Sequence, residues 1–233
     1  MKAEDFLDGQ ILLVDKPLDW TSFQAVNKLK YKLKREFDLP KKFKIGHAGT
    51  LDPRATGLLI VCTGKFTKKI PDIQDAPKEY LTEIKIGVQT ESYDTEKPEI
   101  LQRDYSHITK EQIRTVLEGF VGEIDQKPPV FSAIKIDGNR AYDLARKGTE
   151  VEMKIRKTTI HYINTIEFDL PFVRFTVGCS KGTYIRSLAH DIGQELNVGA
   201  YLTNLRRTKI GEFAVGDAKK DYLDSDFRFA EEN

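Results

Sequence analysis

Asp52 lies in the most chemically suggestive stretch of the chain, Gly46-His47-Ala48-Gly49-Thr50-Leu51-Asp52-Pro53-Arg54-Ala55-Thr56-Gly57. Pro53 restricts the residue before it to extended backbone, and the flanking glycines let main chain approach a ligand closely. A carboxylate presented in this way can attack as a nucleophile, accept a proton, or stabilise developing positive charge. The same dipeptides also build ordinary surface turns, and on residue types alone both readings stand. Arg186 is the second candidate. Thr183 or Ser180 is expected to cap a helix there, which puts Arg186 in its first turn, where a cation opposes the macrodipole. Such an arginine either reaches solvent or is held by an anion, and Asp52 would serve. An arginine beside it would keep Asp52 ionised.

Other motifs carry less. Gly178-Cys179-Ser180-Lys181-Gly182 matches the G-x-S-x-G of a hydrolase nucleophile turn. The only histidine after it is His190, and no Asp or Glu lies between them, so the triad order fails. Gly64-Lys65 resembles the end of a phosphate loop, but Phe66 stands where a magnesium-holding hydroxyl is needed. His47, His107, His161 and His190 show no metal-ligand spacing. Cys62 and Cys179 belong to no C-x-x-C pair, which argues against a disulfide framework or a cysteine zinc site.

The elements that must position these residues follow from pattern. Gln10 to Asp15 reads as a short strand. Thr21 or Ser22 then caps a helix with Phe23, Val26, Leu29, Leu33 and Phe37 on its apolar face and Lys28, Lys30, Lys32, Lys34 and Arg35 on the other. Leu39-Pro40 ends it. A strand begins at Phe43 to Ile45, residues 46 to 57 are irregular, and Leu58 to Thr63 is a buried strand. Tyr80, Thr82, Ile84, Ile86 and Val88 alternate with less apolar residues, the period of a half-buried strand. Thr109 to Gln112 forms a capping box before a helix bearing Ile113, Val116, Leu117 and Phe120. Val130 to Ile136 is a strand candidate, Ala141 to Lys147 a short helix, and Val151 to Cys179 mostly strand. Ile185, Leu188, Ala189, Ile192 and Leu196 form a helical stripe. Without a regular βαβ alternation, the class is α+β with a mixed, mostly antiparallel sheet. No linker divides the chain.

The 233 residues can bury a core without disulfides, and 39% hydrophobic with 31% charged residues describes an ordinary globular protein. The polar, acidic N-terminus is not a signal peptide, and Leu58 to Cys62 is too short an apolar run to cross a bilayer. A cytoplasmic protein without membrane partners is expected. The net charge of +1 hides an uneven distribution. Between Lys28 and Lys44, eight basic residues face two acids, a local +6. Lys65, Lys68 and Lys69 form a second cluster, and Arg206, Arg207 and Lys209 a third. Residues 217–233 carry six acids and three bases. Clustered cations on a nearly neutral chain suit a polyanionic partner.

Taken together, the motifs resemble those of a known family. Gly46 to Leu59, GHAGTLDPRATGLL, is similar to the signature of the TruB-type tRNA pseudouridine synthases, which modify the uridine at position 55 in the TΨC loop. Val14-Asp15-Lys16-Pro17 with Trp20-Thr21-Ser22 resembles the family's N-terminal motif, and Lys78-Glu79-Tyr80 its tyrosine motif. Pro128 to Ala133 with Gly138-Asn139-Arg140-Ala141-Tyr142 resembles its RNA-gripping thumb. Cys179 to Arg186 and Leu205-Arg206-Arg207-Thr208 resemble its later motifs. They occur in the family's order over about nine-tenths of the chain.

The resemblance implies a pseudouridine synthase fold over residues 1–216, with a thumb insertion at about 124–152 and a short acidic tail at 217–233. It implies Asp52 as catalytic carboxylate and Tyr80 packed on the target uracil. Arg186 would pair with Asp52, and His47 would hold the loop in its flipped-out state. Tyr184 and Leu205 would line the nucleotide pocket, Lys16 would support the Asp52 and Tyr80 segments from behind, and Arg140 would bind substrate from the thumb. The expected partner is the TΨC stem-loop of tRNA, bound by a monomer. No cofactor and no metal are expected, because the isomerisation is redox-neutral. Two departures are visible. Phe131 stands where a tyrosine is frequent, and the C-terminal RNA-binding PUA domain of many relatives is not expected here. A non-catalytic tRNA-binding or tRNA-folding protein on the same scaffold is the alternative.

Overall fold

The computed structural model describes residues 1–132, 134–136, 138–146, 151–224 and 228–229. The chain forms two compact units, one made of Met1–Tyr80 and Arg206–Asn233, the other of Leu81–Leu205. The sequence shows no linker at either division because unbroken strands run through both.

The first unit begins with a short helix, α1 (Ala3–Asp8), and strand β1 (Ile11–Lys16). Helix α2 (Ser22–Phe37) follows. Thr21 caps it by accepting the Gln24 amide at 3.0 Å, and the Gln24 side chain returns to the Thr21 amide at 2.8 Å, the reciprocal pattern of a capping box. The helix ends at Asp38 in left-handed conformation, just ahead of Leu39-Pro40. Its buried stripe is Ser22, Ala25, Val26, Leu29, Lys32 and Leu33. Two expectations are corrected here. Phe23 points outward, because burial of Ser22 sets the stripe one residue earlier and one residue turns a helix face by about 100°. Lys32 points inward, where its ammonium donates to the Asp224 carbonyl at 2.7 Å.

Strands β2 (Ile45–Ala48) and β3 (Ala55–Thr63) follow, so the stretch expected to be irregular narrows to a loop over 49–54. β3 pairs antiparallel with β1 and with β2. It is buried on both faces. Leu59 and Val61 meet the apolar side of α2, and Leu58, Ile60 and Cys62 pack with Ile73 and Ile210. Helix α3 (Ile70–Asp75) leads into β4 (Lys78–Ile86), whose residues alternate in burial as the sequence pattern predicts.

In the second unit, β5 (Gln89–Thr90) pairs with β6 (Glu99–Ile100). Helix α4 (Lys110–Gly119) is capped by Thr109. β7 (Gly122–Gln126) precedes a small hairpin of β8 (Lys135–Ile136) and β9 (Asn139–Arg140), and then α5 (Ala141–Arg146). Of the strand expected over 130–136, the described residues form only β8. Lys147, expected as the last residue of the short helix, lies outside the described residues. β10 (Arg156–Asp169) pairs antiparallel with β7 and with β11 (Phe172–Cys179). Helix α6 (Ile185–Glu195) buries Ile185, Leu188, Ala189 and Ile192. β12 (Ala200–Ile210) then runs back into the first unit, where it pairs with β13 (Phe213–Ala214). The strands form a mixed, mostly antiparallel sheet with helices against it, the α+β class expected.

Residues 217–224, 228 and 229 are built into the first unit. Lys219 bridges to Val14 beside β1, and Leu223 and Phe229 are buried. The Phe229 ring meets Phe6 edge-on at 5.6 Å and stacks on Tyr222 at 5.1 Å.

Candidate active site

Asp52 is half-buried in the loop between β2 and β3, where its carbonyl accepts the Ala55 amide at 3.0 Å. The loop is held from several sides. The Ser22 hydroxyl donates to the Leu51 carbonyl at 3.0 Å and accepts the Leu51 amide at 2.8 Å. The Asp19 amide donates to the Pro53 carbonyl at 2.9 Å, and the Arg54 guanidinium reaches the Asp19 carboxylate at 2.8 Å. On the β12 side, Arg207 is only 1% exposed. Its guanidinium donates to the carbonyls of Leu58 at 2.8 Å, Gly49 at 3.1 Å and Thr50 at 3.5 Å. Gly57 allows this approach, because a Cβ there would strike the Arg207 main chain, and its φ of +101° suits only glycine.

Lys16, at the end of β1, is fully enclosed at 0% exposure. Its ammonium donates to the carbonyls of Trp20 at 2.6 Å and Pro17 at 2.9 Å. Burial lowers its pKa from 10.5 to about 8, with the Asp52 carboxylate opposing the shift and Arg207 adding to it. His47 lies in β2 opposite Val61, half-buried. Burial lowers its pKa first, the Gly49 main chain opposes this, and Arg207 lowers it further, so the ring is neutral near pH 7. Tyr80 is buried in β4. Beside β1, Asp15 accepts a two-pronged ion pair from Arg206, at 2.8 and 2.9 Å.

Arg186 belongs to the second unit, in the first turn of α6, and is buried. Its guanidinium pairs with Asp94 at 3.5 Å and donates to the Phe131 carbonyl at 3.0 Å and the Ser92 carbonyl at 3.5 Å. Of the two outcomes that its position on the helix left open, solvent or an anion, the buried cation has an anion beside it, Asp94. The cap differs from expectation. Tyr184 occupies the N-cap position without a side-chain cap. Its main chain is held by Gln126, whose side chain accepts the Tyr184 amide at 2.8 Å and donates to the Tyr184 carbonyl at 3.1 Å. Thr183 instead donates to the Ser180 carbonyl at 3.0 Å. The Ser180 hydroxyl accepts the Thr159 amide at 3.0 Å and contacts the Thr158 hydroxyl at 3.0 Å, which ties it to β10 and leaves it poorly placed as a hydrolase nucleophile. Leu205 is buried in β12. Arg140 lies in β9 opposite Lys135.

Sequence reasoning missed Asp94, Ser22, Gln126 and the inward course of Arg207. Only Ser22 carried a signal, as an alternative cap that the helix did not use. Among the described residues, no group of three or more His, Cys, Asp or Glu side chains is placed to hold a metal ion, and no helix is long and apolar enough to cross a membrane.

Two family descriptions match the chain. One, the TruB family pseudouridylate synthase N-terminal domain, covers residues 34–185, and the other, the tRNA pseudouridylate synthase B C-terminal domain, covers residues 186–229. The chain is 57% identical to the tRNA pseudouridine synthase B of Flavobacterium johnsoniae, across 94% of its own length and 95% of that protein's. It is 54% identical to that of Parabacteroides distasonis, across 91% and 89%. Among solved structures, a chain from the crystal structure of a Cbf5-Nop10-Gar1 complex aligns with a TM-score of 0.66 at 30% identity. That alignment covers 91% of this chain and about half, 53%, of the other. With the two family descriptions matching residues 34–229 in succession and relatives above half identity over nearly their whole length, the chain belongs to the TruB family of pseudouridine synthases.

Proposed function

We propose that this protein converts uridine 55 in the TΨC loop of tRNA to pseudouridine, with Asp52 as the catalytic carboxylate. Its TruB relatives carry the name tRNA pseudouridine synthase B, and the chain is an isomerase of that kind. The observation that carries the residue assignment is the clamped loop. Ser22 and Arg207 fix the main chain on the N-terminal side of Asp52, and the Lys16 ammonium lies within electrostatic reach of its carboxylate.

The reaction breaks the N1–C1′ bond of the uridine, rotates the uracil, forms C5–C1′, and moves the C5 proton to N1. Nothing is oxidised or hydrolysed, so neither a redox cofactor nor a metal is required. An ionised Asp52 can attack covalently, or it can stabilise the electron-poor sugar and accept a proton. Either route needs the base to leave its stack. In this reading Tyr80 packs on the flipped uracil, His47 fills space in the opened loop as a neutral ring, and Tyr184 and Leu205 line the nucleotide pocket. Arg186 pairs with Asp52 and holds it ionised. Lys16 backs the loop, and Arg140 grips RNA from the hairpin. The protein acts as a monomer in the cytoplasm.

The test is incubation of an unmodified tRNA transcript with the protein, followed by position-resolved mapping of pseudouridine. Conversion at position 55 is expected. Absence of product, or product elsewhere, overturns the substrate assignment. Asp52→Asn should retain folding and tRNA affinity and lose turnover by at least about a thousandfold, whereas near-normal turnover would remove Asp52 from the mechanism.

A further inference from the structure

The outer face of α2 carries two rings that its packing does not explain. Phe23 is 70% exposed and Tyr31 68%. They share this face with Asn27 and are bordered by Lys28, Lys30, Lys34 and Arg35, all exposed or half-exposed. Among the described residues none of these four cations is engaged in an ion pair. Other polar groups of the helix are already committed. Lys32 turns inward to the Asp224 carbonyl, and Glu36 accepts the Phe229 amide at 2.7 Å.

A single exposed aromatic residue needs no explanation. Two rings interleaved with uncompensated cations are the combination used to hold single-stranded nucleic acid, in which bases stack on rings and phosphates meet cations. An apolar protein partner would leave the four charges unanswered. The N-terminal end of the helix, where Phe23 stands, adjoins the Asp52 loop. Ser22, immediately before Phe23, is clamped to Leu51, and Asp19 is bonded to Pro53. Phe23 and Tyr31 stand about 12 Å apart along the helix axis, far enough to meet different nucleotides.

We infer that the outer face of α2 is a docking surface for the substrate RNA, taking unpaired bases on Phe23 and Tyr31 and backbone phosphates on Lys30, Lys34 and Arg35. The inference rests on the tRNA reading above and adds a surface outside the pocket that receives the uridine.

The test measures equilibrium binding of an unmodified tRNA transcript by fluorescence anisotropy across a range of salt. Phe23→Leu with Tyr31→Leu, which keeps bulk but removes both rings, should weaken binding about tenfold or more. Phe23→Tyr with Tyr31→Phe, which keeps both rings, should bind within about twofold of wild type. Lys30→Gln with Lys34→Gln should make the salt dependence shallower by one to two in log–log slope. Thermal unfolding of each variant checks that the fold is retained. Binding by the leucine pair within twofold of wild type overturns the inference. So does a wild-type dimer that the leucine pair dissolves without loss of RNA affinity, since the face would then be a protein interface. The parent reading fails separately, if wild-type protein makes no pseudouridine in tRNA.

Discussion

In the first unit Lys16 and Arg207 are enclosed with main-chain carbonyls as the groups that touch them, whereas in the second unit Arg186 is enclosed with the Asp94 carboxylate as well as carbonyls. The difference is one of charge balance. A carbonyl oxygen solvates a cation but does not cancel it, so the field of Lys16 and Arg207 persists around the Asp52 loop. Burial is the main cause of the depressed pKa values of Lys16 and His47, and the Arg207 charge lowers both further. The carboxylate partner of Arg186 fixes the orientation of its guanidinium. One arrangement sustains potential, and the other sustains geometry.

Altering each arginine separates the two roles. Arg186→Ala should have the largest effect, a fall in turnover of a hundredfold or more with tRNA affinity changed only a few-fold, read by single-turnover kinetics beside a binding titration. If affinity alone drops, Arg186 contacts phosphate and the comparison breaks. Arg207→Lys keeps the buried charge and loses the guanidinium fork that grips three carbonyls. Turnover should fall about a hundredfold, because small displacements of a catalytic group are costly. Wild-type turnover in that variant would mean that Arg207 supplies charge and no positioning.

The next test concerns pH and Lys16. Between about pH 8 and 10.5 the unfolded chain holds the lysine proton and the folded protein does not, so stability should rise with pH over that window. The gain relative to Lys16→Met should be about 3 kcal/mol in chemical unfolding curves. A flat difference would show that burial does not tax this charge.

The second unit offers the opposite sign. Burial raises the Asp191 pKa from 3.8 to about 6. It lies beside His190, whose ring stacks on Tyr93 at 3.9 Å. Between pH 3.8 and about 6 only the folded protein holds that proton, so stability should fall as pH rises. Partial solvent screening limits the effect to about 2 kcal/mol. Asp191→Asn should flatten this slope, and an unchanged slope would place the titration elsewhere.

Much of this organisation was legible in the sequence where a residue type allows only one local answer. Thr21 and Thr109 announce their helices because a hydroxyl with a glutamine three residues on satisfies two end amides together. β4 announces itself because its alternation has no helical equivalent. The loop that carries Asp52 was visible through its proline and glycines. Features settled by distant partners were not visible. Phe23 looked like a core residue until Ser22 proved to be needed by Leu51, 29 residues away in sequence. Lys32 matched its basic neighbours until Asp224 claimed it. Asp94 sits in a polar turn, and nothing nearby announces that its partner is on α6.

The aromatic cluster around Phe6 and Phe229 has a consequence for biosynthesis. Residues 81–205 form a continuous stretch, complete before β12 finishes emerging from the ribosome. The first unit must wait for Lys219 to settle beside β1 and for Phe229 to reach Phe6, which lies near the opposite terminus. Asp52 is therefore translated early, yet its surroundings mature only after Phe229 has been made, so a chain released before that point would carry Asp52 on an unfinished half.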